Sequence, residues 1–144
     1  MLRVLQDGAG ISYFGGNLMR NIAFCFFGAA VLCVTVGMFW GIHMAISGDH
    51  LMAPAHAHLN LVGWTTMGLF GLYYTVTPAA ADTLLAKVHL GFAVLGVLCL
   101  VPGIAMAVSS GGEALAAIGS ILTAISMLIF LFTVARNGIG RKTA

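Results

Sequence analysis

Ala55-His56-Ala57-His58-Leu59-Asn60-Leu61-Val62-Gly63-Trp64 sets two imidazoles and an amide at the head of a long apolar run, where a membrane helix should begin. Successive residues on an α-helix are about 100° apart, so the rings of a His-x-His pair point roughly 200° apart. Two such rings cannot grip one metal from a single helix. Each needs a partner from another helix or another chain. Asn60 follows His56 by one turn, a spacing that lets its amide face that ring and fix its tautomer.

The rest of the chain sets this stretch in a bilayer. Of its 144 residues, 60% are hydrophobic and only 7% are charged, against about 25% charged in a soluble domain. The sequence therefore predicts an all-α integral membrane protein, with residues 1–144 forming one transmembrane domain. A net charge of +2 is too small to suggest nucleic acid as a partner. Four apolar runs, about 21–47, 54–76, 88–110 and 114–135, each exceed the roughly 20 residues that a helix needs to cross a bilayer core. Turn chemistry separates them at Ser47-Gly48-Asp49, at Thr77-Pro78 with Asp82, and at Ser109-Ser110-Gly111-Gly112. Pro54 suits a first helical turn. Pro102 falls inside the third run, where it predicts a kink that frees the carbonyl of Leu98. Segment 1–16 shows no removable signal peptide. Cys25, Cys33 and Cys99 have no C-x-x-C spacing and read as buried small hydrophobes.

All six cations lie before the first run, between the second and third, or after the fourth: Arg3, Arg20, Lys87, Arg136, Arg141 and Lys142. With four spans those places share one side, so the positive-inside rule predicts cytoplasmic N- and C-termini. Four of the five histidines, His43, His50, His56 and His58, then gather at the outer face with Asp49. His89, beside Lys87, stands at the opposite end as an interfacial or packing group. The second run descends about 27 Å from His58 to Val76 at 1.5 Å per residue, so His89 cannot share a metal with the outer pair inside one chain.

An ionisable group in a spanning segment is costly, which makes His56 and His58 candidate ligands rather than mere helix-packing groups. His43 and His50 could hold a metal with them or could be solvated. Imidazole suits zinc, copper, nickel or iron, and no thiolate or carboxylate pair accompanies these rings to suggest structural zinc. Gly28, Gly37, Gly41, Gly63, Gly68 and Gly71 predict room between helices for a flat macrocycle, with Trp64 beside it and Trp40 as an interfacial anchor. Haem b held by axial histidine is the leading candidate cofactor, with copper as a second.

His56-Ala57-His58, Leu61-x-Gly63-Trp64, the run Gly68-Leu69-Phe70-Gly71-Leu72-Tyr73-Tyr74 and Pro78 resemble the tenth helix of haem–copper oxidase catalytic subunits. The likeness is closest to helices 9–12 of the C-type oxidases and nitric oxide reductases. Leu85-Ala86-Lys87-Val88-His89 with Gly96 resembles the start of their eleventh helix. Gly37-Met38-x-x-Gly41 and Gly48-Asp49-His50 resemble small four-helix oxidase-like relatives. The resemblance implies that the two histidines serve different haems on opposite faces, with His56 matching the high-spin ligand and His58 the low-spin one. It also implies one four-helix repeat of a twelve-helix subunit, rebuilt as a homotrimer in the inner (cytoplasmic) membrane of a bacterium. A ring of three lets every His56 meet a His58, which an isologous twofold interface does not.

Three function classes stay open at this stage. The first is a haem b protein with a redox or electron-transfer role and an unidentified electron donor. The second is a small oxidoreductase acting on nitric oxide or oxygen at a haem/copper site. The third is a haem-free metal-handling or assembly protein working at Asp49, His50 and His56. No residue is assigned as catalytic.

Overall fold

The computed structural model describes residues 22–140. Arg3, Arg20, Asn21, Arg141, Lys142 and segment 1–16 lie outside the described residues. Helix α1 spans Ile22–Ser47. A continuous helical run then passes through α2 (Ala53–His58), a π-helix (Leu59–Thr66) and α3 (Met67–Val76). After one short turn, α4 (Pro78–Ala81), come α5 (Leu84–Ser110) and α6 (Ala114–Asn137). No strand occurs among the described residues. Helices α1, α5 and α6 are each long and apolar enough to cross a membrane. The fold thus fits an all-α membrane protein.

The ends of the helices follow local chemistry. Gly48, Gly111 and Gly138 take positive φ after α1, α5 and α6, which only glycine adopts without strain. Between α1 and α2, Asp49 Oδ1 accepts from the Leu51 amide at 2.9 Å, closing the turn. The last pair of helices departs from the boundaries predicted above. Helix α5 starts at Leu84 rather than 88 because Thr83 Oγ1 accepts from the Ala86 amide and caps it. Helix α6 continues past 135 to Asn137. Helix α5 runs through Pro102 without ending there.

Packing divides into two helical pairs. Helix α1 lies along the π-helix and α3, while α5 packs most extensively on α6. Glycines permit the closest approaches. A Cβ on Gly103 would collide with the Ala116 backbone, and one on Gly119 with the Leu100 backbone. Gly63 and Gly71 meet α1 in the same way, at Cys33 and at the Ala23 carbonyl and Phe27. The expectation that Gly63 and Gly71 leave room for a macrocycle is therefore corrected: both are buried in close helix packing. Large apolar side chains such as Leu32, Phe39, Ile46, Leu98, Leu128 and Phe132 instead point outward. That arrangement suits lipid as solvent, since hydrocarbon outside the bundle is no less apolar than its interior.

An aromatic cluster ties the two pairs together. Phe26 of α1 stacks on Tyr74 of α3 at 5.5 Å and meets Phe70 edge-on at 5.6 Å. Phe130 of α6 approaches Phe70 at 4.4 Å and Tyr73 at 5.1 Å. His89 of α5 stands among them, completely buried. Of the two readings of His89, interfacial or packing, its burial fits the packing one. Lys87 is exposed, but two residues on along a helix the direction has turned inward.

Candidate functional site

Pro54 opens α2 and places His56 and His58 in its single turn and a half before the helix widens. From Leu59 the backbone follows the π pattern, and two threonine hydroxyls donate to carbonyls five residues earlier. Thr65 reaches Asn60 O at 3.2 Å and Thr66 reaches Leu61 O at 2.8 Å. Such π segments often mark functional sites because they change the direction of side chains without ending the helix. Nothing in the hydrophobic pattern of the second run announces this switch.

The two rings face different surroundings, as their spacing predicts. His56 turns toward α1 and is half-buried. Its ring lies edge-on to Trp40 at 6.2 Å, and a Cβ on Gly41 would come within 3.2 Å of its Cε1. The Asn60 amide donates to the His56 carbonyl at 2.9 Å and lies 3.3 and 3.5 Å from the two ring nitrogens. Gly37 makes room for that amide, since a Cβ there would fall 2.6 Å from Asn60 Oδ1. An open groove runs past these groups, lined also by Met38, Ile42 and Ala45.

His58 points away from the bundle and is exposed. Its Nδ1–H donates to the Pro54 carbonyl, one turn earlier, at 2.8 Å. That bond fixes the neutral ring in the tautomer whose Nε2 carries the lone pair, and it turns Nε2 outward. Helical geometry supplies the acceptor, because the carbonyl four residues earlier lies on the same face as the ring.

The remaining candidates lie apart from these rings. His43 is exposed near the end of α1, and His50 in the turn bonds through Nδ1 to Gly48 O at 3.1 Å. Among the described residues no three histidine, cysteine, aspartate or glutamate side chains are gathered closely enough to hold a metal ion. Within one chain, His43, His50, His56 and His58 are therefore not assembled into a copper set. Trp64 is half-buried against Phe27 at 6.3 Å and lines a second apolar groove with Gly68, Leu69 and Leu72. The indole beside His56 is that of Trp40, which the sequence reading left as an anchor. Its position sixteen residues upstream, on another helix, gives no local signal.

At the other end of the bundle the Tyr74 hydroxyl and His89 Nδ1 are hydrogen-bonded at 3.0 Å. Sequence reasoning missed this pair, which joins α3 to α5 across the core. Comparison with protein-family models, with curated proteins and with solved structures gives no match.

Proposed function

We propose that this chain is an integral membrane haem b-binding protein with a redox or electron-transfer role. On this reading it corresponds to one four-helix repeat of a haem–copper oxidase catalytic subunit. All four apolar runs then cross the inner membrane of a bacterium with both termini cytoplasmic, and three copies close a ring. The observation that carries the reading is His58. Its exposed ring sits on an apolar helix with Nδ1 tied to a carbonyl and Nε2 free to ligate. A polar ring turned toward hydrocarbon is expensive, so it calls for a ligand or partner outside its own bundle.

The residues present fit a haem. His58 of one copy and His56 of the next would hold it, since among the described residues neither ring belongs to a cluster of metal-ligating side chains. Gly37 and Gly41 keep the groove beside His56 open, while Asn60 and Trp40 hold that ring in place. When bound, the haem supplies one-electron redox chemistry at its iron. The chain's own part is to fix the His58 tautomer, orient both rings, and exclude water with the apolar side chains around them.

A reduced-minus-oxidised absorption spectrum of protein purified from haem-replete cells tests this. Sharp six-coordinate b-type bands that disappear in His58→Ala are the expected result. Bands that shift with carbon monoxide would instead indicate an open position and the nitric oxide or oxygen chemistry of the second class. Absence of any haem band would end the proposal in favour of haem-free metal handling.

A further inference from the structure

Charge is distributed unevenly over the two ends of the helical bundle. Lys87 near the start of α5 and Arg136 in the last turn of α6 are both exposed. Arg141 and Lys142 follow Gly140 directly in the sequence. Among the described residues Asp82 is the one carboxylate at this end, since Asp49 and Glu113 stand in the turns at the other. Helices α5 and α6 run antiparallel, with Gly96 facing Thr123, Gly103 facing Ala116 and Gly119 facing Leu100. His89 keeps the same register by stacking on Phe130. Continued residue for residue, it sets Leu84 level with Ala135 and Lys87 level with Phe132. Arg136 then lies four residues beyond the level of Lys87, about 6 Å along the helix axes at 1.5 Å per residue.

The same end carries apolar side chains that the bundle leaves uncovered. Leu84 is 75% exposed and Ile139 is 80% exposed. Leu84 stands three residues before Lys87, on the same face of α5. Ile139 is held outward by its neighbours. The carbonyl of Gly138 accepts from the Tyr73 hydroxyl at 2.9 Å, and the amide of Gly140 donates to Thr77 Oγ1 at 3.0 Å. Tyr73 and Thr77 are both buried, so the turn is anchored in the core on either side of Ile139. An isoleucine fixed toward water is unfavourable, whereas at the boundary of headgroups and acyl chains it is buried in hydrocarbon.

We propose that this end of the α5–α6 hairpin is a docking surface for anionic phospholipid, with Lys87 and Arg136 on headgroup phosphates and Leu84 and Ile139 against the adjoining acyl chains. The depth agrees. Helix α5 has 27 residues and is apolar enough to cross a membrane. At 1.5 Å per residue it is about 40 Å long, against a hydrocarbon core of about 30 Å, so its first turn lies among the headgroups. Cations flanking apolar side chains at that depth match an anionic lipid, whose phosphate and chain lie next to each other in the same order. The surface is independent of the haem reading, because it lies at the end of the bundle away from His56 and His58.

Native mass spectrometry of the full-length protein in detergent, with equal amounts of phosphatidylglycerol and phosphatidylcholine added, tests this. Phosphatidylglycerol should be retained at least about ten-fold over phosphatidylcholine. Lys87→Gln and Arg136→Gln should each lower that preference about five-fold, the factor that one cation beside an anionic surface supplies. Glu113→Gln, at the opposite end, should leave it unchanged. Circular dichroism checks the helix content of each variant, and if Arg136→Gln does not fold, Lys87→Gln decides alone. Equal retention of the two lipids overturns the proposal, as does a preference that survives both cation substitutions together. Displacement of the lipid by excess inorganic phosphate would reveal a site for free phosphate and overturn the lipid assignment.

Discussion

At His58 the side chain makes a single hydrogen bond, to a carbonyl of its own helix, and otherwise touches none of the groups that hold the bundle together. His58→Ala should therefore leave the helical circular dichroism unchanged while the purified protein loses its haem. A folded variant with full haem content would remove His58 from the site. Tyr74 is the opposite case, because its hydroxyl is bound inside the core. Tyr74→Phe keeps the stacking on Phe26 but strips His89 Nδ1 of its partner. Leaving that buried ring nitrogen unpaired should cost about 1–3 kcal/mol, read as a lower midpoint of unfolding in detergent. An unchanged midpoint would show that the pair adds nothing to the fold.

Helices here are joined less by large side chains than by the absence of them. Gly119 sits directly on the backbone of Leu100, and Gly103 on that of Ala116, so neither neighbour can yield as a flexible side chain could. Gly119→Ala should destabilise the α5–α6 pair by about 1–3 kcal/mol through overpacking. Gly91→Ala is the control within α5, where an added methyl meets nothing within 4 Å. There the higher helix propensity of alanine should stabilise by up to about 1 kcal/mol. Thermal unfolding of the two variants in one detergent compares them, and equal losses would mean that these glycines act through propensity and not through contact. The π-helix works at the same scale. It lets α2 aim its rings at two different environments while α3 keeps Phe70, Tyr73 and Tyr74 on the core.

For the whole molecule the open question is what His58 meets. A monomer leaves that ring facing lipid, and a twofold dimer pairs like with like. On the proposed reading, a cyclic trimer would bring each His58 to the His56 groove of the next copy. Gly28 and Ala29, half-buried on α1, are small residues able to line the contacts of such a ring, whereas Gly63 already meets Cys33 within the chain. The detergent-corrected mass of the purified particle should be that of three chains. A monomer or twofold dimer carrying stoichiometric haem would refute the ring. Gly28→Leu should lower the trimer fraction without altering the helical content, since the position has open space in the single chain.

The amino-acid sequence by itself determined the helical class, the apolar runs and their turns, and the opposed directions of His56 and His58. These rest on composition, on local turn chemistry and on 3.6-residue periodicity, all of which act over a few neighbouring residues. Even the start of α5 was legible in Thr83, a capping residue that the apolar pattern overshadowed. Tertiary structure alone decided which glycines pack and which border a groove, because that depends on what the facing helix presents. It alone set Trp40 beside His56 and buried His89 against Tyr74. Those contacts join residues far apart in the chain, and a hydrogen bond across the core leaves no trace in the local pattern of either helix.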